Sequence, residues 1–386
     1  MNMLKYIIVN TVETLLRGFP FPCKTGLIKI GNPDRNSPVF ATCNYHLTVE
    51  RVKRSLKGMN AYLLVANSRG INVWCAATGG LFTNHDVISI LKTSGVEELV
   101  DHRKVILPQL AATGIESRNI QKKTGWKVIW GPVYAKDIPT FMENKLKKTS
   151  EMREVKFSWT QRIEIAAMWA FPFSAIAALL MIFLWREAII PVITLLWGLP
   201  FLIFLSFPLY SKWLNPKRKR MSFSRYTLIF DFSRIPLILW GFFMLFLIGY
   251  SILVGYSSLG FILRWGVLSL IVVIIVSFDL MGSTPVYKSG LHEDRLLKVT
   301  LDEKKCKGAG FCEQVCPRNC YEMDRNRHIA TMPSAEQCVQ CGACIVQCPF
   351  DALYFESPKG EIIPPEDIRK FKLNFIGKRL VKVEDK

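Results

Sequence analysis

The sequence lacks the elements that bind nucleotides or nucleic acids. Its 386 residues contain no glycine-rich dinucleotide fingerprint and no P-loop, so no phosphate-binding loop is expected. The formal charge of +19 reflects 50 basic residues against 31 acidic ones, but no basic module is interleaved with aromatic residues. The densest basic run, residues 217–220, lies between two long apolar segments. We therefore expect no nucleic-acid partner and interpret this run as a loop beside a membrane.

Cysteine is absent from the middle of the chain, with none between Cys75 and Cys306. Three of the eleven cysteines precede this gap, namely Cys23, Cys43 and Cys75, and the other eight fall between Cys306 and Cys348. Dense clustering at short, regular spacing is typical of metal ligands in a reducing compartment, whereas disulfide frameworks belong to small secreted domains. The sequence therefore predicts a metal-binding C-terminal domain, residues 290–386.

The C-terminal cysteines have the spacing of bacterial two-cluster ferredoxins, in which the fourth cysteine of each motif ligates the other cluster. The second motif is complete, with Cys338, Cys341, Cys344 and Cys348, whereas the first has Ala309 where its second cysteine is due. The crossing rule predicts one [4Fe–4S] cluster held by Cys316, Cys338, Cys341 and Cys344. Cys306, Cys312 and Cys348 remain for a second cluster, which is [3Fe–4S] or a [4Fe–4S] cluster with three cysteine ligands. Cys320 is either a substitute ligand or a small residue packed beside a cluster.

The N-terminal part, residues 1–157, alternates short apolar strands with amphipathic helices. This alternation predicts an α/β Rossmann-like domain with a parallel sheet covered on both faces. Ligands of such sheets bind at the carboxyl ends of the strands, and Cys75 follows one of these ends at the start of a short helix. A thiol at a helix N-terminus favours the thiolate and hence metal ligation. The loops that begin at Pro108 and Gly131 are predicted to complete the floor of the site.

The middle of the chain, residues 158–285, predicts an α-helical membrane domain of four spans. The segments 163–185, 188–210, 235–256 and 259–281 each have about the 20 apolar residues that cross a bilayer. The basic loop from Ser211 to Arg225 is predicted to be cytoplasmic. An even number of spans then places both termini in the cytoplasm, as in a multi-pass protein of the cell (inner) membrane. No histidine lies in these spans, so a membrane haem is not expected.

The N-terminal part resembles the corrinoid protein family of microbial mercury methylation (HgcA). The resemblance covers roughly residues 26–142 and rests on short strings in the same order: Gly31-Asn32-Pro33, Thr42 to Tyr45, Arg69-Gly70-Ile71, Asn72 to Ala77, Ile106 to Leu110, and Gly131-Pro132-Val133. It implies a cobalamin-type corrinoid whose cobalt has Cys75 as its lower axial ligand, with Asn72 and Trp74 beside it. The Asp-x-His-x-x-Gly motif, by which many other cobalamin proteins supply a histidine, is absent, which agrees with a thiolate ligand.

The C-terminal part, residues 300–356, resembles the ferredoxin partner of the same system (HgcB), here fused to the corrinoid-like part. Together the two resemblances imply a membrane-anchored, corrinoid-dependent methyltransferase that carries a methyl group, with the ferredoxin reducing the cobalt. The partners implied are a membrane, an electron donor protein and a methyl donor, such as a methylated pterin or its methyltransferase. Mercury would be the acceptor in that system. Two departures argue against it here: Thr78-Gly79 stands where the family has Gly-Lys, and no cysteine follows Cys348.

Two other functions stay open from the sequence. One is a membrane-bound iron–sulfur electron-transfer protein without corrinoid turnover, and the other is a corrinoid sensor without turnover. The cobalt content of the purified protein separates the first of these from the methyl carrier.

Overall fold

The chain is built from two structural units, each made of two separate stretches of sequence. The computed structural model describes residues 3–214, 225–255, 258–280, 297–357, 359–374 and 378–383. The helical unit consists of Met1–Gly18 and Phe157–Gly282, and the sheet unit consists of Phe19–Lys156 and Ser283–Lys386. The N-terminal helix α1 (Met3–Leu15) thus belongs with the apolar helices, and the C-terminal segment belongs with the α/β segment. The division predicted from the sequence, at 1–157, 158–285 and 290–386, grouped these parts differently.

The α/β segment (Phe19–Lys156) contains a five-stranded sheet. Its strands are β1 (Gly26–Ile30), β2 (Val39–Cys43), β3 (Ala61–Ala66), β4 (Lys104–Leu107) and β5 (Lys127–Trp130), in the spatial order β1-β3-β2-β4-β5. Strands β2 to β5 are parallel, as predicted. Strand β1 is different because it pairs antiparallel with β3, from Gly26 opposite Val65 to Ile30 opposite Ala61. An antiparallel edge strand is a common addition to a mostly parallel sheet, and the sequence reading missed it.

Helices cover both faces of this sheet, so the predicted α/β fold is confirmed. The helices are α2 (His46–Ser55), α3 (Val73–Thr78), α4 (Asn84–Thr93), α5 (Val96–Leu99), α6 (Ser117–Thr124), α7 (Ile138–Glu143) and α8 (Ser150–Arg153). Every residue of β2 and β3 is buried. Alternate residues of β3 enter different hydrophobic clusters, with Leu64 in one and Leu63 in the other. This alternation places a packed core on each side of the central strands.

The helical unit contains three helices that are long and apolar enough to cross a membrane, among the residues that the structure describes. Its helices after α1 are α9 (Trp159–Leu184), α10 (Ile189–Leu205), α11 (Phe207–Leu214), α12 (Arg225–Leu253) and α13 (Leu259–Leu280). The qualifying stretches are Trp159–Leu184, Arg186–Leu205 and Leu259–Ser277. By length and composition the described residues therefore contain three candidate spans, not the four predicted. The predicted span 235–256 falls on α12, whose apolar stretch Leu237–Leu253 is too short to qualify by itself. The basic run 217–220 lies outside the described residues.

The C-terminal segment, from residue 297 onward, has the fold of a two-cluster ferredoxin with an added tail, and this part of the prediction is confirmed. Its elements are β6 (Lys298–Leu301), α14 (Phe311–Val315), β7 (Glu322–Asp324), β8 (Ile329–Thr331), α15 (Ala343–Gln347), β9 (Leu353–Glu356), β10 (Ile362–Ile363), α16 (Pro365–Lys370), β11 (Phe371–Leu373) and β12 (Arg379–Lys382). Strand β6 pairs with β9, and β7 pairs with β8, so that the two halves are related by an approximate twofold axis. The tail ends in the hairpin β11–β12.

The C-terminal segment shares a hydrophobic core with the α/β segment. Val315 of α14 and Ala343 of α15 are buried in the same cluster as Leu107 and Trp130 of the sheet. The tail adds a buried lysine, because Lys372 of β11 is only 3% exposed. Its ammonium donates to the carbonyl oxygen of Thr113 at 3.0 Å and to that of Ile368 at 3.2 Å. Burial lowers the pKa of Lys372 to about 7.

This buried lysine predicts a pH dependence of stability. Between about pH 7 and the ordinary lysine pKa near 10.5, the unfolded chain binds a proton that folded Lys372 does not hold, so stability rises with pH. The full effect is about 1.4 kcal/mol per pH unit within this window. Equilibrium guanidinium unfolding measures the free energy of unfolding at pH 7 and at pH 9.5. Between these two values the free energy of unfolding should rise less for Lys372→Met than for the wild-type chain. The matched control is Lys359→Met, since Lys359 is exposed. Equal gains in all three proteins would contradict the assignment.

Candidate functional site

Cys75 lies in the first turn of the short helix α3. Asn72 is the N-cap residue, and its Oδ1 accepts a hydrogen bond from the backbone N–H of Cys75 at 3.0 Å. Cys75 and Thr78 are partly exposed on one face of the helix, whereas Trp74 and Ala77 are buried. The helix ends at Gly79. A thiol in this position is accessible and lies in the positive field of the helix N-terminus, which favours its thiolate as a ligand for a soft metal.

The other two residues predicted beside Cys75 occupy different environments. Asn72 is partly exposed and fixes the start of the helix through its side chain. Trp74 is only 6% exposed, so that its ring is packed within the α/β segment. The remaining cysteines of this segment differ as well. Cys43 is fully buried, which raises the pKa of its thiol to about 11 and makes it a core residue, whereas Cys23 is partly exposed.

Asn44 supports the loop that leads to Cys75, and the sequence reading did not single it out. Its Oδ1 accepts from the backbone N–H of Ser68 at 2.8 Å and from that of Gly70 at 3.0 Å. Its Nδ2 donates to the carbonyl oxygen of Cys23 at 3.3 Å. Asn44 follows β2 directly, so a polar residue just beyond a buried strand was the available signal. These bonds hold the loop between β3 and α3 at the carboxyl edge of the sheet.

The loop after β4, one of those predicted to complete the floor of the site, is a 3₁₀ helix. This helix, Gln109–Thr113, is here called the central turn. Gln109, Ala111, Ala112 and Thr113 are all buried. Gly131 and Pro132 of the loop after β5 are also buried. The C-terminal segment packs on the central turn, but Pro108 and Val133 remain partly exposed, so the floor formed by these loops stays a prediction. Of the three loops, the one after β3 carries a partly exposed thiol, that of Cys75.

Two cavities of similar size separate the C-terminal cysteines into two sets. The three-cysteine cavity is lined by Cys306, Cys312, Cys348 and Ala309 among others. The four-cysteine cavity is lined by Cys316, Cys338, Cys341 and Cys344, with Cys320 beside them. These are the groups that the crossing rule predicts. Thiolates among apolar side chains form the donor set that iron–sulfur clusters take. In the described part of the chain, no group of three or more His, Cys, Asp or Glu side chains is arranged to hold a single metal ion.

The two halves of the C-terminal segment can be compared position by position, which shows the residues that correspond to Ala309 and Cys320. Gly310 and Gly342 precede helices α14 and α15 with φ of 72° and 80°, so that Ala309 corresponds to Cys341. The backbone N–H of Cys320 donates to the sulfur of Cys316 at 3.3 Å, and that of Ala352 donates to the sulfur of Cys348 at 3.4 Å. Cys320 therefore corresponds to Ala352, which favours the packing interpretation for its side chain.

Two cysteine sulfurs of the four-cysteine cavity accept hydrogen bonds from side chains. The buried Tyr321 hydroxyl donates to the sulfur of Cys344 at 3.1 Å. A hydrogen bond from the Cys320 thiol lowers the pKa of Cys316 to about 7. Burial raises the pKa of the Cys344 thiol well above its usual value in this cavity, as it raises that of Cys312 to about 12 in the three-cysteine cavity. Donors to ligand sulfurs are among the features that set a cluster's reduction potential, and the Tyr321 hydroxyl is such a donor in the four-cysteine cavity.

The central turn connects the cysteine cavities with the helix of Cys75. Gln347 lies between Cys344 and Cys348, and its Nε2 donates to the carbonyl oxygens of Ala112 at 2.8 Å and Ile115 at 2.5 Å. Gln109 donates from its own Nε2 to the carbonyl oxygen of Cys316 at 3.3 Å.

The central turn also lies next to α3, and the residue that follows the turn, Gly114, contacts this helix. A Cβ atom placed on Gly114 would lie 2.6 Å from the carbonyl oxygen of Ala77, so only glycine permits this approach. Just beyond the same end of α3, a Cβ atom placed on Gly80 would lie 3.3 Å from Val381 of the C-terminal hairpin. The helix that carries Cys75 is thus in contact with both the central turn and the tail of the C-terminal segment.

Known proteins resemble the two segments separately. Residues 17–142 match the family described as CO dehydrogenase/acetyl-CoA synthase delta subunit, and residues 305–352 match the 4Fe-4S dicluster domain. A gamma subunit of the acetyl-CoA decarbonylase/synthase complex from Methanopyrus kandleri is 33% identical over 128 residues, covering 33% of this chain and 27% of that protein. The corresponding subunit from Methanothermobacter thermautotrophicus is 37% identical over 120 residues, covering 31% and 26%.

A further relative has both cofactor types in its name. The corrinoid/iron-sulfur protein large subunit of Moorella thermoacetica is 29% identical over 129 residues, covering 33% of this chain and 28% of that protein. The chain therefore spans about a quarter of the length of these relatives. It joins an α/β segment similar to those of corrinoid/iron–sulfur proteins to a 4Fe-4S dicluster domain. The names of these relatives do not mention mercury, so mercury as acceptor has no support from them.

The three-cysteine cavity predicts how a substitution at Ala309 changes the cluster. We expect the wild-type protein, reconstituted and oxidised, to show the electron paramagnetic resonance signal of a [3Fe–4S] cluster. Ala309→Cys supplies the missing thiolate, so this signal should disappear as a [4Fe–4S] cluster forms.

Cys320→Ala is the matched control for this experiment. Because Cys320 corresponds to Ala352 and not to a ligand, the variant should keep the wild-type signal and iron content. Two fully cysteine-ligated [4Fe–4S] clusters in the wild-type protein would contradict the assignment of Ala309.

Proposed function

We propose that this chain is a membrane-anchored corrinoid protein that transfers methyl groups and receives electrons from its own dicluster domain. The observation that carries the proposal is the Asn72-capped, partly exposed thiol of Cys75 at the carboxyl edge of the sheet. The similarity of this segment to corrinoid/iron–sulfur proteins supports a corrinoid as the group that faces the thiol. The proposal is confined to this class, and the methyl acceptor is left open.

The chemistry of the residues around Cys75 fits a corrinoid whose cobalt takes a thiolate ligand. Cys75 would supply this thiolate, and Asn72 would keep the helix start in place through its bond to the backbone of Cys75. When bound, the corrinoid supplies the methyl-transfer chemistry, and the protein supplies ligand, position and electrons. Asn44 holds the preceding loop, so that the thiol is carried by a rigid part of the fold.

The dicluster domain supplies electrons at high effective concentration. Because it is part of the same chain and packs on the α/β segment, its encounter with the corrinoid site is intramolecular. The bonds from Gln347 and Gln109 fix the cluster ligands relative to the central turn. A soluble electron donor would then reduce the clusters from outside. We further propose protein partners that provide the methyl group, in keeping with relatives that are named as subunits of complexes.

The packing of the sheet unit supports an even number of membrane crossings. Its two stretches flank residues 157–282 in the sequence, but they share one hydrophobic core and therefore lie on the same side of the membrane. Three crossings would separate them. We propose that α12 provides this further crossing, since its apolar stretch Leu237–Leu253 reaches the lower limit of about 17 residues that can span a bilayer. With an even number of crossings, the basic run 217–220 supports a cytoplasmic location for its own loop, the sheet unit and both termini.

Reporter fusions in bacteria test this topology. Alkaline phosphatase, which is active only outside the cytoplasm, should be active when fused after residue 186 or residue 257. It should be inactive when fused after residue 220 or at the C-terminus, where a fluorescent protein should fold instead. Phosphatase activity at the C-terminus would contradict the even count.

The substitution Cys75→Ala tests the proposed ligand. Anaerobically purified wild-type protein should bind added cobinamide or cobalamin, visible as a corrin absorption band, and should support methyl transfer. The alanine variant should bind at least ~10-fold more weakly, which corresponds to about 1.4 kcal/mol, and should lose methyl transfer. Its iron–sulfur absorption should be unchanged, because the cysteine cavities lie in the C-terminal segment.

Cys23→Ser is the control, since Cys23 is a partly exposed cysteine of the same segment. It should bind like the wild-type protein. Unchanged affinity and turnover in Cys75→Ala would remove the ligand role. A wild-type protein that binds no corrinoid would leave a membrane-bound iron–sulfur electron-transfer protein.

A further inference from the structure

Helix α1 exposes a broad apolar face, whereas its one acidic side chain is buried on the opposite side. Met3, Leu4, Ile7, Ile8 and Val12 are 67%, 64%, 48%, 54% and 45% exposed. At 100° per residue these five positions fall within one half of the helix circumference, here called the α1 stripe. On the opposite side, Glu13 is 8% exposed. A surface helix of a water-soluble domain has the reverse arrangement.

The neighbour of α1 indicates what covers this stripe. Arg17, just after α1, forms an ion pair with Glu164 of α9 at 3.5 Å, and both helices belong to the helical unit. Helix α9 is one of the candidate membrane spans and exposes apolar side chains of its own, including Leu179 at 61% and Phe183 at 82%. Helix α1 thus packs against a helix of the same unit whose exposed apolar side chains suit hydrocarbon and not water.

The length of α1 distinguishes it from a spanning helix. Thirteen residues rise about 20 Å, which is less than the roughly 30 Å of the hydrocarbon core. A short helix with one apolar stripe is the form that lies in one leaflet. Lipid also explains the stripe better than a second protein would, because the stripe adjoins a helix that already requires lipid.

We propose that α1 is a non-spanning membrane helix whose α1 stripe contacts the acyl chains of one leaflet. This inference rests on the proposed membrane anchoring of the chain. It gives the α/β segment a lipid-bound element at each end, since α1 precedes Phe19 and α9 follows Lys156. The segment that carries Cys75 is then held to the membrane by two connections.

A spin label at position 8 tests the proposal on the full chain in phosphatidylcholine–phosphatidylglycerol nanodiscs. Ile8 is replaced by p-acetylphenylalanine and joined to an oxime-linked nitroxide, which avoids the native cysteines. Power saturation then compares the accessibility of the label to oxygen, which concentrates in lipid, with that to a water-soluble nickel chelate. A label at Phe183 of α9 gives the lipid reference, and one at the exposed Lys122 of α6 gives the water reference.

The label at position 8 should give an oxygen-to-nickel ratio several-fold above that at Lys122 and close to that at Phe183. A ratio equal to that at Lys122 would show a water-exposed helix and overturn the proposal. Low accessibility to both reagents would show a protein partner on the stripe and would also overturn it. If the label at Phe183 is itself accessible to nickel, the membrane anchoring has failed and not the placement of α1 alone.

Discussion

The central turn, Gln109–Thr113, is the constraint on which the proposed chemistry depends, because both halves of the sheet unit contact it. On one side Gln347, placed between two cluster-binding cysteines, donates to the carbonyl oxygens of Ala112 and Ile115. On the other side Gly114 comes so close to Ala77 that a side chain would not fit. The helix of Cys75 and the cysteine cavities are thus fixed to one short stretch of backbone. In such an arrangement the proposed electron transfer from the clusters to the corrinoid would be intramolecular.

This packing also bears on the order of the segments along the chain. The apolar helices are inserted between two stretches that share a core, which is why the proposed anchoring requires the chain to return to the side of the membrane from which it started. The two cavities differ in the number of cysteines, and Tyr321 and Cys320 line the four-cysteine cavity. Clusters with different environments have different potentials, so the proposed electron flow would have a direction.

Most of the fold could be predicted from the sequence because its signals are local. Strand β2 and the parallel order of β2 to β5 follow from alternating apolar runs, and the cysteine sets follow from spacing alone. The missing information was long-range. Nothing local in Pro108–Ala111 shows that a segment more than 200 residues away buries Gln109 through contacts such as that with Cys316. Likewise the roles of Asn44 and Lys372 depend on partners distant in sequence, and β1 on pairing with β3.

The central claim is that the sulfur of Cys75 bonds to the cobalt of a corrinoid, and X-ray absorption at the cobalt edge tests it most directly. Full-length protein loaded anaerobically with cobalamin should show one sulfur scatterer in the first coordination shell of cobalt. The same measurement on Cys75→Ala should show nitrogen and oxygen scatterers only. A wild-type spectrum without a sulfur scatterer would contradict the account.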